Sequence, residues 1–177
     1  MKSPRHFQSN SELTPQSVAG AVINSDKSSV LLIQRRDVPV WALPGGGVEL
    51  NETPEEAIIR EIFEETGLNV MISRLVGIYT PINKLAKYTY LYECMVLNGK
   101  LATSSETRDV QFFPVESLPK LIPPPYREWI SDTMIGGDPL HKKIHSVNYL
   151  TLFKNVFLHP TLVFRFLLAR LGLPINR

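Results

Sequence analysis

The sequence contains a single cysteine, Cys94, among 177 residues, and this excludes an internal disulfide framework. A lone cysteine is typical of proteins in a reducing compartment. The first residues, 1–12, are polar and lack the apolar core of a secretory signal peptide. No continuous apolar stretch is long enough to span a bilayer. From these absences we expect a soluble cytoplasmic protein.

Acidic residues are absent from the last part of the chain, although the net charge of the whole chain is only +2. Such a small net charge argues against a protein dedicated to nucleic-acid binding. From Pro139 onward there are six basic residues and no aspartate or glutamate, so the first 138 residues carry a net charge of −4. The basic residues of this last part are Lys142, Lys143, Lys154, Arg165, Arg170 and Arg177.

Short runs of β-branched residues predict strands after a flexible arm at residues 1–16. The runs 18–23 and 30–34 flank a turn-like segment and predict a hairpin. Further strands are predicted at 70–79, 88–97 and 110–114. Asn98-Gly99 is predicted to form a hairpin turn between the strand 88–97 and residues 100–101. Short helices are predicted at 116–118 and 126–134. Strands combined with helices in this order indicate an α/β or α+β sandwich.

One helix is predicted with well-defined ends. Thr53 is suited to cap its N-terminus, Pro54 to occupy its first position, and Glu56 to complete a capping box. Gly67 is suited to end the helix in a left-handed conformation. The sequence therefore predicts a helix from about residue 54 to residue 66.

This helix carries a cluster of carboxylates that needs an explanation. At about 100° per residue, Glu61, Glu64 and Glu65 share one face, and a core stripe of Ile59, Ile62 and Phe63 is predicted on the other. The segment 54–66 has five glutamates and one arginine, and two of the glutamates lie where the helix dipole is already negative. A solvated acidic face is one interpretation. A bound divalent cation is the other, and hard oxygen ligands favour Mg²⁺, with Mn²⁺ as a substitute.

The residues around the carboxylates decide between these interpretations. Gly46, Glu52 and the run Arg60-Glu61-Ile62-Phe63-Glu64-Glu65-Thr66-Gly67-Leu68 stand at the spacing of the Nudix box. The chain resembles the Nudix hydrolases, the MutT-like pyrophosphohydrolases, with no position of that signature missing. The resemblance extends over about 18–119.

The resemblance implies a Nudix-type α/β/α sandwich with a mixed sheet, and hydrolysis of a nucleoside diphosphate derivative with Mg²⁺. Glu61, Glu64 and Glu65 are the implied metal ligands, and the Gly45 carbonyl is a further candidate. The roles implied for the other positions are the following: Arg60 orients the carboxylates, Gly46 lets the backbone approach the diphosphate, and Glu52 and Gly67 are structural.

Diphosphate hydrolysis needs a carboxylate that accepts a proton from the attacking water. We nominate Glu64 as this base, and Glu106, which precedes the last predicted strand, as its competitor; for Glu106 a plain loop acid is the alternative. Arg35, at the end of a strand, is a candidate phosphate ligand, and the alternative is a surface pair with Arg36.

Other conspicuous residues are expected to be structural. Tyr88, Tyr90 and Tyr92 alternate along one strand, and packing is favoured over stacking on a base. His141, His145 and His159 have no metal-like spacing with the cysteine and are expected at the surface.

The last part of the chain is read as an extension, residues 139–177, that follows a Nudix domain at 17–138. It predicts two helices broken near Pro160. Packing on the protein body or on a dimer partner is favoured over an anionic membrane. The reason is that Arg165 and Arg170 lie about 140° apart on a helix and give no single polar face.

The substrate is the least determined property. Nudix hydrolases that cleave ADP-ribose tend to carry a proline shortly after the box. The resemblance of Pro81 to that proline implies an ADP-ribose-like nucleoside diphosphate derivative ahead of a nucleoside triphosphate. Functions of other classes are a Nudix-fold nucleotide sensor without turnover and a membrane-associated adaptor. No nucleic-acid partner is expected.

Overall fold

The computed structural model describes residues 16–158 and 160–170. The strands are β1 (Gln16–Val22), β2 (Ser29–Arg35), β3 (Trp41–Ala42), β4 (Leu68–Pro81), β5 (Tyr88–Gly99), β6 (Thr107–Pro114) and β7 (Leu140–Ile144). The helices are α1 (Pro54–Thr66), α2 (Tyr126–Ile135), α3 (Tyr149–Leu158) and α4 (Pro160–Arg170), and Val115–Ser117 form a 3₁₀ turn. The predicted arm lies outside the described residues except for Gln16, which begins β1.

The strands form two sheets. The first has the order β1-β5-β4-β7, in which β1 is parallel to β5, β5 is antiparallel to β4, and β4 is parallel to β7. The second is antiparallel, with the order β3-β2-β6. This mixed topology, with helices on both sides, confirms the predicted α/β sandwich.

Alternation along the strands distributes the core between two layers. On β2, Leu31 and Ile33 pack in the cluster that contains Ile58 and Ile62 of α1. Val30 and Leu32 belong to the cluster that contains Trp129 and Ile130 of α2. Because both faces of this strand are covered, it is buried as a continuous apolar run.

The predicted turn between the first two strands is present, but the predicted pairing of these strands is wrong. Ile23, one residue beyond β1, forms an isolated antiparallel bridge with Val30 of β2, and the N–H of Asn24 donates to the carbonyl of Ser29 at 3.1 Å. The two strands nevertheless belong to different sheets. β1 pairs instead with β5, so that Gln16 lies beside Tyr88. Local sequence suggested the turn, and the partner far along the chain determined the pairing.

The hairpin turn predicted at Asn98-Gly99 is also wrong. Asn98 and Gly99 are the last residues of β5 and pair with Asn69 and Leu68 of β4. No strand follows directly, since residues 100–106 have no regular structure. β7 was not predicted; it adds to the edge of β4 and lies within the residues assigned to the extension.

After β7, the described part of the extension forms the two helices that were predicted. α3 and α4 meet near Pro160, and the side chain of Val163 on α4 is buried. Among the described residues, no helix is long and apolar enough to cross a membrane. His141 and His145 are exposed as predicted, and His159 lies outside the described residues.

Candidate active site

The glycine loop, which contains Gly45–Gly47, runs alongside β1 and is hydrogen-bonded to it. The N–H of Val18 donates to the carbonyl of Gly46 at 2.9 Å, and the N–H of Gly20 donates to the carbonyl of Pro44 at 2.8 Å. Ser17 and Gly47 form an antiparallel bridge. These bonds hold the loop rigidly and leave other backbone groups of the glycines to face helix α1.

The close approach of loop and helix requires the absence of side chains. A methyl group at Gly46 would collide with the carboxylate of Glu61, and one at Gly45 would collide with the carbonyl of Val18. Gly45 also has φ +152°. Gly47 has open space, with no atom within 4 Å of an added methyl group. Close packing therefore requires glycine at positions 45 and 46, but not at position 47.

Helix α1 is capped as predicted but turned differently about its axis. Thr53 and Glu56 form the capping box, and Gly67 ends the helix at φ +72°. Ile62 is buried, as predicted. The predicted core residues Ile59 and Phe63, however, are 41% and 52% exposed, and this part of the prediction is wrong.

The buried side of the helix instead includes carboxylates. Glu65 is 5% exposed, and the side chain of Glu61 is 14% exposed. Ile58, predicted at the border of the apolar stripe, is fully buried beside Ile62. The carboxylates are tolerated inside because the glycine loop and Arg60 supply hydrogen-bond donors.

Glu65 has a single donor from the loop. Its Oε2 accepts a hydrogen bond from the N–H of Gly45 at 2.8 Å. Burial raises the pKa of Glu65 to about 8, and the nearby charge of Glu61 acts in the same direction, whereas the Gly45 bond and Arg35 oppose it. The hydrogen bond from Gly45 and the charge of Arg35 therefore do not fully offset the cost of burying the ionised Glu65.

Arg60 connects the loop with the other carboxylates. Its Nε and Nη2 donate to the two oxygens of Glu52 at 2.8 and 2.9 Å, and Nη2 also donates to the carbonyl of Gly47 at 3.2 Å. Its Nη1 donates to Glu61 at 3.0 Å and to Glu64 at 3.3 Å. These contacts are the ones expected if Arg60 orients carboxylates and Glu52 ties the loop to the helix.

The three predicted ligands differ in environment. Burial raises the pKa of Glu61, and Arg60 only partly opposes this. The side chain of Glu64 is 55% exposed. In the described part of the chain, no three acidic, histidine or cysteine side chains are already gathered as a metal cluster. The donor set is nevertheless hard oxygen with excess negative charge, which is the chemistry that Mg²⁺ prefers.

Glu106 lies near the carboxylates without a direct bond to them. It is exposed, and its negative charge contributes to raising the pKa of both Glu61 and Glu65. Its carbonyl accepts a hydrogen bond from the N–H of Arg36 at 2.9 Å. The structure thus places Glu106 close enough to Glu61 and Glu65 for its charge to act on both, and its role as a base stays a prediction.

A cavity of about 680 Å³ opens on the other side of the glycine loop. Arg35 and Gly45–Gly47 line it, but the box carboxylates do not. The guanidinium of Arg35 is fixed by Asp37, to which Nε and Nη2 donate at 2.9 and 2.6 Å. Asp37 raises the pKa of Arg35, so this side chain is a permanent cation in the cavity wall.

A model of the NUDIX domain matches residues 14–133. The chain belongs to the Nudix hydrolase family.

Individual relatives agree with this assignment. A MutT-like protein of Streptomyces ambofaciens is 34% identical over 134 residues, which cover 76% of this chain and 85% of that protein. A putative 8-oxo-dGTP diphosphatase of Bacillus subtilis is 32% identical over 70% of this chain and 83% of that protein. An ADP-ribose pyrophosphatase of Methanocaldococcus jannaschii is 36% identical over 62% of this chain and 68% of that protein.

A crystal structure of an ADP-ribose pyrophosphatase from Streptococcus suis shares the fold. Its TM-score is 0.61 at 24% sequence identity, and the match covers 73% of this chain and 98% of that one. The family match and the sequence relatives make this Nudix hydrolase a pyrophosphohydrolase, and the solved structure shows the shared fold.

Part of the cavity of the Nudix hydrolase was missed by sequence reasoning. The C-terminal helices close one side of it: Thr151 and Leu152 of α3 and Leu162, Val163 and Phe166 of α4 all line the space. The apolar content of the extension indicated packing on protein. Only the fold shows that the surface it covers is the cavity beside the glycine loop.

The tyrosines of β5 contribute to packing. Tyr88 and Tyr90 meet edge to face, with ring centroids 5.5 Å apart. Tyr92 is buried, and its hydroxyl donates to Glu55 of α1 at 2.8 Å. This confirms the structural interpretation of the three residues. The marker proposed for the substrate, Pro81, ends β4 and is absent from the described lining of the cavity.

Proposed function

We propose that this Nudix pyrophosphohydrolase hydrolyses the diphosphate linkage of a nucleoside diphosphate derivative of the ADP-ribose type, with Mg²⁺ as cofactor. The observation that carries the proposal is the position of the 680 Å³ cavity. It adjoins the backbone of Gly45–Gly47 and the fixed cation of Arg35, and it extends under the C-terminal helices. Such a space suits a diphosphate flanked by two bulky groups.

In this proposal Glu61, Glu64, Glu65 and the carbonyl of Gly45 hold the cation. When bound, Mg²⁺ neutralises the non-bridging oxygens of the diphosphate and favours attack by water. Arg60 holds Glu61 and Glu64 on one side through its Nη1. Mn²⁺ substitutes because it accepts the same oxygen donors.

The chain offers two carboxylates for the proton of the attacking water. Glu64 is supported by its exposure and by its weak 3.3 Å contact with Arg60, since it is free to turn toward the substrate. Glu106 is the competitor. Glu106→Gln decides between them, because loss of the base lowers kcat strongly whereas loss of a neighbouring charge changes it little. Glu64→Gln lowers kcat in either case, since Glu64 is also a proposed metal ligand.

In this proposal the substrate is positioned by Arg35 and by the glycine loop where it lines the cavity. Arg35, oriented by Asp37, supplies a cation for a phosphate oxygen. Gly46 allows the backbone to approach the diphosphate without a side chain in between. The structural roles of Glu52 and Gly67 fit their contacts, because Glu52 binds Arg60 and Gly67 terminates α1 in a left-handed conformation.

A panel of nucleotides with Mg²⁺, scored for the products released, tests the substrate class. Formation of AMP and ribose 5-phosphate from ADP-ribose supports the proposal. The second candidate is a nucleoside triphosphate pyrophosphohydrolase, favoured by the Bacillus subtilis relative that carries an 8-oxo-dGTP diphosphatase name. Much faster turnover of triphosphates to monophosphate and pyrophosphate would replace the first proposal by the second.

A sensor without turnover is disfavoured, because no box carboxylate is missing from the sequence. A membrane-associated adaptor that replaces the enzyme is disfavoured for the same reason. Absence of hydrolysis across the whole panel, despite measurable nucleotide binding, would revive the sensor.

A further inference from the structure

The C-terminal helices α3 and α4 are apolar on both sides. Their inner side lines the cavity, where Val163 is only 8% exposed. On the other side six large apolar residues are between 45% and 77% exposed, and we name them the outer face: Tyr149, Leu150, Phe153, Leu158, Phe164 and Leu167. A helix that is apolar all round is ordinarily covered all round, and contiguous exposed apolar patches mark interaction sites.

The basic side chain of Arg165 does not interrupt this face. Its Nε donates to the carbonyl of Asp37 and its Nη2 to the carbonyl of Arg36, both at 2.8 Å. The guanidinium is therefore directed toward the protein body. The angular separation of Arg165 and Arg170 along the helix, which argued against a lipid surface from sequence alone, loses its force for this reason.

The charge of the segment indicates the kind of partner. From Pro139 onward every charged side chain is basic, and Lys154 on α3 is exposed. A two-fold contact between two copies of this segment would place basic charge against basic charge. An anionic surface instead supplies the missing counter-charge.

We propose that the outer face of α3 and α4 docks this protein on an anionic lipid surface. The helices have 10 and 11 residues, about half of what a bilayer crossing needs, so they lie in the plane of the interface. The apolar side chains enter the boundary between headgroups and acyl chains, and the exposed Lys154 lies among the anionic headgroups, while Arg165 keeps its bonds to the protein body. This proposal does not depend on which diphosphate the enzyme cleaves.

Co-sedimentation of the full chain with lipid vesicles tests the proposal. The full chain is expected to sediment with vesicles of equal parts phosphatidylcholine and phosphatidylglycerol, and much less with phosphatidylcholine alone. High salt is expected to weaken binding to the anionic vesicles. The double variant Leu150→Ser/Phe164→Ser is expected to bind at least about tenfold more weakly. Neither residue lines the cavity, so its hydrolytic activity and thermal stability report intact folding.

A matched control makes the same kind of change elsewhere. Met71 on β4 and Leu97 on β5 are 45% and 59% exposed, and Met71→Ser/Leu97→Ser is expected to bind vesicles like the unmodified chain. Failure of the full chain to bind anionic vesicles would overturn the proposal, as would equal loss of binding in both double variants. Sedimentation without vesicles tests the other possible occupant of the outer face, a second copy of the chain. If the full chain forms a dimer and Leu150→Ser/Phe164→Ser dissociates it, the face would be assigned to that second copy and the lipid proposal would be overturned.

Discussion

The carboxylate of Glu65 accepts a hydrogen bond from the backbone N–H of Gly45 at 2.8 Å, in a place where the carboxylate is almost completely buried. The contact joins the last turn of α1 to the glycine loop. Because burial raises the pKa of Glu65 to about 8, the ionised carboxylate destabilises the fold until a cation compensates it. A cation bound beside Glu65 would offset the cost of burying its ionised carboxylate.

Replacement of Glu65 by glutamine should therefore separate activity from stability. We expect Glu65→Gln to lower kcat by at least about a hundredfold, because a proposed metal ligand is lost. In EDTA at pH 8 the same variant should have a free energy of unfolding higher by roughly 1–3 kcal/mol, because the buried charge is removed. Glu116→Gln, on an exposed turn, serves as the control and should change neither quantity. Near-normal turnover of Glu65→Gln at saturating Mg²⁺ would contradict the assignment.

The stability of the metal-free protein should depend on pH with a definite sign. In the folded state the pKa of Glu65 is about 8, above its ordinary value of 4.5, so the folded state retains a proton that the unfolded state releases between these values. The free energy of unfolding should consequently fall as pH rises from about 4.5 to 8. Urea titrations in EDTA measure this slope, which should be smaller in Glu65→Gln.

The hydrolysis rate should also rise with pH. A carboxylate must lose its proton to hold a cation, so at limiting Mg²⁺ the rate should increase through about pH 8. Because the cation competes with the proton, higher Mg²⁺ should move the midpoint of the profile to lower pH. A rate maximum well below neutrality, or a midpoint that Mg²⁺ leaves unmoved, would exclude Glu65 as the titrating group.

Two neighbouring glycines provide a matched pair of variants. A methyl group at Gly46 meets the carboxylate of Glu61, whereas one at Gly47 meets nothing within 4 Å. We expect Gly46→Ala to lower kcat at least about tenfold by displacing Glu61, since small misplacements at a reacting centre are costly. Gly47→Ala should stay within about twofold of the unmodified enzyme. Equal effects of the two substitutions would show that general stiffness of the loop, and not the contact with Glu61, matters.

Arg165 should influence substrate binding through the loop that carries Arg35. Its two hydrogen bonds to the carbonyls of Arg36 and Asp37 fix that loop, and each such bond contributes about 1 kcal/mol. Arg165→Ala should raise KM several-fold and leave kcat nearly unchanged. Lys154→Ala, on the adjacent helix, should alter neither parameter. A large fall in kcat with unchanged KM would mean that Arg165 acts on the chemistry instead.

The elements with local signals could be predicted from the sequence. The capping box of α1 and the left-handed Gly67 follow from residue types that satisfy backbone groups at helix ends. The break between α3 and α4 near Pro160 follows from the missing proline N–H. The mixed sandwich fold was predicted through the resemblance of the Nudix box, since no local pattern specifies a topology.

Features that depend on distant partners could not be predicted. The pairing of β1 with β5 joins Gln16 to Tyr88, and the sequence near β1 contains no trace of it. The buried face of α1 was predicted wrongly. A helical projection of the sequence shows the carboxylate cluster, but it does not show the hydrogen bonds that Gly45 and Arg60 donate to these carboxylates in the fold. Ile59 lies outside because the helix turns Ile58, Ile62 and Glu65 toward the protein body instead.

The central claim is that the box carboxylates hold a divalent cation, and the binding of Mn²⁺ followed by electron paramagnetic resonance at pH 8 tests it most directly. The account predicts that the unmodified protein and Glu116→Gln bind Mn²⁺ with the same affinity, and that Mg²⁺ competes for the site. Glu65→Gln should bind Mn²⁺ at least about tenfold more weakly, since it loses one charged ligand. If Glu65→Gln bound Mn²⁺ as tightly as the unmodified protein, the account of this site would be contradicted.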